Sequence, residues 1–373
     1  MKIGVLTSSR ADYGIYKNLL DSIKDNSRFK LEIIVFGMHL MKKHGLTLNL
    51  IIDDNYSAIH QVGKMPKNDS IIDISKAYGQ LIKDFASFWQ NNTYDLVFAL
   101  GDRWEMSAAV QSSIPYELKL AHIHGGETSE GSIDNIFRHQ ITLASKLHFT
   151  STSLYRRKVI EITGNSKCVY NVGSLALEGL SKLKLPSWNY IKQNFKIPFD
   201  NFVLVTFHPE SVKSYKNKEF SKSIKEVLNH LSINFNLLIT KSNNDSMGSL
   251  YNMAYDELQK KYPNKIKLVS ALGKLNYFKA MKQSHFIFGN SSSGIIEAAS
   301  FGKMVFNIGN RQNGRLKNKN VVDIPLDKEM IINAIYNYYP NKKISKRNLY
   351  YKPETSNNII KIINDKFRKS LNI

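Results

Sequence analysis

Two rhythms alternate along this chain. Short apolar runs rich in β-branched and aromatic residues occur at "KIGVLTS" (2–8), "FKLEIIVFG" (29–37), "YDLVFALGD" (94–102), "KLAHIHGG" (119–126), "LHFTS" (147–151) and "CVYNVGS" (168–174). Between them lie longer stretches with apolar residues at helical spacing. The first is "RADYGIYKNLLDSIKD", and others cover about Ile72 to Asn91, the residues after Asp102, and Ile133–Lys146. Apolar runs without polar alternation predict strands covered on both faces. Strands separated by helices predict a parallel sheet with helices on either side.

The pattern then restarts. Leu177 to Asn201 is largely polar and holds Pro186 and Pro198. New runs follow at "FVLVTFHP" (202–209), "FNLLITKSN" (235–243), "KIKLVS" (265–270), "HFIFGN" (285–290) and "MVFNIG" (304–309). The chain therefore reads as α/β, with two doubly wound, Rossmann-like parallel-sheet domains over 1–176 and 177–355. A last helix near Asn358–Ser370, within 356–373, can pack on either domain. No short-period repeat or low-complexity segment interrupts this order. In the simplest assembly the two domains face each other across an interdomain cleft. Ligands of such sheets sit at the carboxyl ends of the strands.

Composition narrows the class. With 373 residues, 42% hydrophobic and 22% charged, the chain is globular. No apolar run is long enough for a bilayer, and the N-terminal one is too short for a secretory signal. Cys168 is the single cysteine, so no disulfide forms within the chain, and its strand context reads as a small buried apolar residue. These features predict a cytoplasmic protein. The formal net charge of +21 favours anionic partners, and nine Lys/Arg fall between Ile331 and Ile373. No basic stripe interleaves with stacking aromatics, so neither nucleic acid nor membrane is an expected partner. A phosphate-bearing small molecule fits better.

The chemistry concentrates in loops directly after strands. "TSSRADYG" (7–14) offers hydroxyls and Arg10 at a helix start, either to hold a phosphate or sugar hydroxyl or simply to cap the helix. It is not a GxGxxG, so no dinucleotide cofactor is indicated. "GDRWE" (101–105) sets Asp102 and Arg103 after a glycine that admits close approach. Leu120–Gln140, "LAHIHGGETSEGSIDNIFRHQ", is densest in titratable groups. Continued strand alternation points His122 and His124 to the same side, and Asp134 and Arg138 can pair as i,i+4 helix neighbours. Carboxylate and imidazole close to one substrate suit acid–base chemistry. A zinc site from His122, His124 and His139 lacks HExxH-type spacing.

The second half adds His208 beside Pro209. Its "FGNSSSGIIEAASFGK" (288–303) is a strand, a Ser/Gly loop and a helix suited to a diphosphate. Glu297 lies where an acidic residue can accept a ribose diol. Arg311 and Arg315 follow in "NIGNRQNGR" (307–315) and complete an anion pocket.

In combination these stretches resemble the hydrolysing UDP-N-acetylglucosamine 2-epimerases of bacterial sialic and related nonulosonic acid biosynthesis. "SSRADYG", "FGMHL", "LGDRWE", "HIHGGE", "IDNIFRH", "NVGS", "FHPE", "GNSSSGIIE" and "NIGNRQNGR" occur in family order from Ser8 to Arg315. The resemblance implies a GT-B-like fold and no redox cofactor or metal. The implied reaction removes the nucleoside diphosphate from C1 with deprotonation at C2, leaving a glycal-like intermediate. Water then adds at C1 and a proton at C2 from the opposite face, giving N-acetylmannosamine and UDP. By matching position, Asp102, Glu127 and Asp134 are acid–base candidates, and His208 assists the leaving diphosphate. Arg10, Ser291, Ser292, Gly294, Glu297 and Arg311 form the nucleotide site, with Arg103, Arg138 and His139 as further substrate contacts. Similar proteins are commonly homodimers.

The chain departs from the family pattern at His124, where many relatives carry a catalytic Glu, so either His124 or Glu127 takes that role. Leu100 stands where relatives often have His before "GDR". The "HVEAG"-type stretch of the non-hydrolysing 2-epimerases is absent. A GT-B glycosyltransferase and, outside enzymes, a polyanion-binding protein are the competing readings. Within the family, a 2,4-diacetamido-2,4,6-trideoxy sugar on UDP or GDP competes with UDP-N-acetylglucosamine.

Overall fold

The computed structural model describes residues 1–41, 46–66, 70–210, 212, 214–242, 248–338 and 344–370. The chain divides into two compact units. The first comprises Met1–Glu127, Asp134–Leu180 and Tyr350–Ile373, and the second Thr128–Ile133 and Ser181–Leu349.

The first unit runs β1 (Lys2–Thr7), α1 (Arg10–Lys24), β2 (Lys30–Val35), α2 (Leu48–Asp53), β3 (Ile59–Gln61), α3 (Ile71–Asn91), β4 (Leu96–Leu100), α4 (Trp104–Ser113), β5 (Leu120–Ile123), α5 (Asp134–Ala144), β6 (Leu147–Thr150), α6 (Ser153–Thr163) and β7 (Val169–Asn171). Its seven strands are all parallel, in the order β3-β2-β1-β4-β5-β6-β7. β4 and β5 are buried along their whole length, as their unbroken apolar runs require. α1 buries Tyr16, Leu19, Leu20 and Ile23, a helical stripe, in a core that also receives Ile359 and Ile363 of the unit's last helix.

The second unit runs α7 (Trp188–Phe195), β8 (Val203–Thr206), α8 (Asn217–Asn234), β9 (Leu237–Thr240), α9 (Gly248–Lys261), β10 (Ile266–Val269), α10 (Lys274–Gln283), β11 (Ile287–Gly289), α11 (Ser292–Ile296), β12 (Val305–Ile308), β13 (Val321–Ile324) and α12 (Lys328–Tyr338). Its six parallel strands follow the order β10-β9-β8-β11-β12-β13. The chain then rejoins the first unit as α13 (Thr355–Ser370). Among the described residues no helix is long and apolar enough to cross a membrane.

Each sheet reverses its winding once, between β1 and β4 in the first unit and between β8 and β11 in the second. Such switch points leave a crevice at the carboxyl ends of the strands. The motif loops lie there: Ser8–Arg10 after β1, Gly101–Asp102 after β4, His208 after β8 and Ser291–Gly294 after β11.

A buried charge cluster sits away from these loops. Glu32 of β2 takes Lys2 Nζ at 3.1 Å, His60 Nε2 at 2.9 Å and the Tyr94 hydroxyl at 3.1 Å. Burial alone pushes its carboxyl up, but the hydrogen bonds from His60, Lys2 and Tyr94 outweigh this and hold it at about 2. A depressed carboxylate stabilises the fold above its unfolded value, and that stability is lost as pH falls from about 4.5 through about 2. Unfolding measured from pH 6 to pH 2 is expected to show a loss of up to about 3 kcal/mol from this group. Glu32→Gln is expected to flatten that part of the acid limb.

Candidate active site

In the first unit, the loop after β1 is closed on itself. Asp12 accepts from the Ser8 N–H at 3.0 Å, the Ser8 hydroxyl at 2.6 Å and the Ser9 hydroxyl at 2.8 Å. Ser9 in turn caps α1. Arg10 is exposed and makes no ion pair among the described residues. The "FGMHL" turn packs against this loop, because a Cβ at Gly37, at φ +64°, would come within 2.6 Å of the Ser8 carbonyl. His39 is buried between the Thr7 and Thr47 hydroxyls at 3.0 and 2.8 Å, and burial pushes it down to about 4, so it stays neutral.

The acid–base cluster forms at the ends of β4 and β5. β5 stops at Ile123, and His124 takes a left-handed backbone, φ +65°, a conformation in which His is enriched among non-glycine residues. That turn ends the strand alternation at Ile123, and His122 and His124 take different partners. His122 is fully buried, with Nε2 2.8 Å from the Gly101 carbonyl and Nδ1 3.0 Å from the Thr142 hydroxyl. A carbonyl only accepts, so the proton lies on Nε2. Burial holds this imidazole well below its ordinary range and neutral. His124 instead faces Glu127, Nδ1 to Oε1 at 3.6 Å, and Ser174, Nε2 to Oγ at 3.4 Å. Glu127, 2% exposed, also accepts from the Ser151 hydroxyl at 2.8 Å.

Arg138 gathers these loops. Its side chain is buried, its Nη1 donates to the His124 carbonyl at 2.8 Å, and its Nη2 pairs with the Asp102 carboxylate. The expected Asp134–Arg138 pair is thus replaced by a tertiary one, because the guanidinium points across the sheet end. Asp134 opens α5, half-buried. Arg103 forms a fork with buried Glu105, at 3.2 and 2.9 Å. His139 lies exposed on α5. Among the described residues no cluster of three His, Cys, Asp or Glu side chains is placed to hold a metal ion.

The second unit includes the short segment after Glu127. There, Arg315 Nε and Nη2 donate to the Ser129 hydroxyl at 3.2 Å, and the Glu130 N–H donates to the Asn313 carbonyl at 3.0 Å. Gly131 lies so close to the Arg311 backbone that a Cβ would fall 2.5 Å from the Arg311 Cα. His208, 8% exposed, is clamped through its backbone by Asn290. Ser291 caps α11 and its hydroxyl lies 3.0 Å from that of Ser293, which Tyr277 holds at 2.8 Å. Ser292 is half-buried beside it. Gly294 backs onto Val305, whose Cγ1 would be 2.9 Å from an added Cβ. Glu297 is half-buried at the end of α11. Arg311 reaches the Asn290 carbonyl at 3.4 Å, and the Asn310 N–H donates to Glu210 at 2.8 Å. Ser174, Glu210 and Asn290 lie within the quoted "NVGS", "FHPE" and "GNSSSGIIE" stretches but are not among the expected site residues, and Ser151 carries no signal beyond being a polar residue at a strand end.

Two Rossmann-like parallel sheets, each with its polar loops at the switch point, define a GT-B-like protein. The chain belongs to the UDP-N-acetylglucosamine 2-epimerase family, whose model it matches over residues 21–364. It is 32% identical to the polysialic acid biosynthesis protein P7 of Escherichia coli, over 100% of this chain and 95% of that protein. It is also 32% identical to the GDP/UDP-N,N'-diacetylbacillosamine 2-epimerase (hydrolyzing) of Campylobacter jejuni, over 86% of this chain and 84% of that one. In fold it is similar to the UDP-GlcNAc 2-epimerase of Neisseria meningitidis solved with bound UDP-GlcNAc, at TM-score 0.80 and 17% identity over 98% and 100% of the two chains.

Proposed function

We propose that the chain is a hydrolysing 2-epimerase that converts UDP-N-acetylglucosamine and water into N-acetylmannosamine and UDP for sialic-type acid synthesis, acting in the cytoplasm as a homodimer. The observation that carries this reading is Arg138. It draws Asp102 and the His124 backbone together at the ends of β4 and β5, with Glu127 beside the imidazole. Such a cluster supplies the two proton transfers that the reaction needs.

In the first half-reaction a base of this cluster takes the C2 proton while the C1–oxygen bond breaks, giving 2-acetamidoglucal and UDP. In the second, water adds at C1 and a proton reaches C2 from the opposite face. Asp102, His124, Glu127 and Asp134 serve as the acid–base groups, with His124 and Glu127 acting as a pair because they face each other at 3.6 Å. Arg103 and His139 are further contacts of the nucleotide sugar, and Arg138 holds the cluster together. Ser291, Ser292, Gly294, Glu297, Arg311 and Arg10 hold the nucleotide, and His208 stabilises the charge that develops on the departing diphosphate.

The name of the Campylobacter relative supports a second reading, the same reaction on UDP- or GDP-2,4-diacetamido-2,4,6-trideoxyglucose. NMR of the purified protein with each sugar nucleotide separates the two. Free N-acetylmannosamine and UDP are expected from UDP-N-acetylglucosamine. Cleavage of a diacetamido substrate alone supports the second reading, and cleavage of none contradicts both.

A further inference from the structure

We infer that Asn290 is the positioning residue for His208, setting the imidazole's place without touching substrate. This rests on the assignment of His208 to the departing diphosphate. β8 ends at Thr206 and β11 at Gly289, and the Asn290 N–H still donates to the Thr206 carbonyl at 3.1 Å. The side chain then adds a further rung. The His208 N–H donates to Asn290 Oδ1 at 2.7 Å, and Asn290 Nδ2 donates to the His208 carbonyl at 2.8 Å. The backbone ladder between β8 and β11 has ended by this point, and the primary amide takes the place of a backbone donor and acceptor for His208.

The residue is 4% exposed, so its polar groups need these partners. Its own carbonyl accepts from Gln312 Nε2 at 2.8 Å and Arg311 Nη1 at 3.4 Å. One side chain and one carbonyl thus join the His208 loop to the Arg311 loop, while the next residue, Ser291, caps α11. Only a primary amide offers one donor and one acceptor at this spacing. An aspartate keeps the shape but turns an oxygen toward the His208 carbonyl. The carbonyl that receives Arg311 and Gln312 belongs to the backbone and survives that change. Loss of the amide should therefore act on His208 alone.

The test is a double-mutant cycle of Asn290→Asp and His208→Ala, read as kcat and KM with thermal midpoints as a folding control. Asn290→Asp is expected to lower kcat by about 30-fold or more with KM within about threefold. In the His208→Ala background it is expected to cost less than about threefold further. An unchanged kcat, or the same loss in both backgrounds, overturns the proposal. Amide exchange on the wild-type protein tests the clamp itself without turnover or a folded variant. The His208 N–H is expected to exchange as slowly as those of β8, and exchange at the rate of an open loop contradicts the clamp. A wild-type protein that cleaves no sugar nucleotide removes the reaction assigned to His208 but leaves this exchange result standing.

Discussion

Asp102→Asn and Glu127→Gln are each expected to slow release of nucleoside diphosphate by about 10²- to 10⁴-fold, the usual contribution of a positioned acid or base. The two substitutions should differ in their effect on the fold. Asp102 is the counter-charge of a buried guanidinium. An amide there still accepts a hydrogen bond from Arg138 but leaves its charge unbalanced, so about 2–3 kcal/mol of stability should go with the activity. Glu127 accepts from Ser151 at 2.8 Å, and a glutamine keeps that acceptor, so its unfolding midpoint should move less. Rates measured beside urea unfolding separate the two effects. Wild-type rates in both variants would remove these carboxylates from the chemistry.

Gly289→Ala is expected to be the most damaging single methyl group in the second unit. Gly289 ends β11 at φ +151°, and an added Cβ would lie 1.9 Å from the Thr206 carbonyl oxygen and 2.7 Å from its carbon. Both atoms belong to β8, so relief requires the two central strands to part beneath the His208 and Ser291 loops. A loss of more than about 3 kcal/mol, or failure to accumulate folded protein, is the expected outcome. Gly79→Ala is the control, since Gly79 lies in α3 with nothing within 4 Å of an added Cβ. That change should stabilise by about 0.5–1 kcal/mol. Equal midpoints for the two variants would contradict the packing around Gly289.

The architecture was legible because parallel strands buried on both faces leave unbroken apolar runs, and the helices between them show their stripes. β3, three residues long and partly exposed, and β13, with its partly exposed "VVDI", lie at sheet edges and leave no such run. At the candidate site the loops were legible but their internal wiring was not. Helical spacing put Arg138 beside Asp134, whereas its partner Asp102 lies 36 residues upstream. Sequence alternation extends through His124, whereas the strand ends at Ile123 and His124 has a left-handed backbone. Asn290 reads as the first residue of a Ser/Gly loop, and nothing local signals its bonds to a backbone 82 positions away. Side-chain pairing across strand ends is a tertiary property, which periodicity does not encode.

Turnover of UDP-N-acetylglucosamine in D₂O, followed by ¹H NMR, addresses elimination and rehydration directly. The expected product is free N-acetylmannosamine carrying deuterium at C2, released with one UDP per sugar. UDP-N-acetylmannosamine with the nucleotide still attached, or free N-acetylglucosamine that keeps its C2 hydrogen, would contradict it.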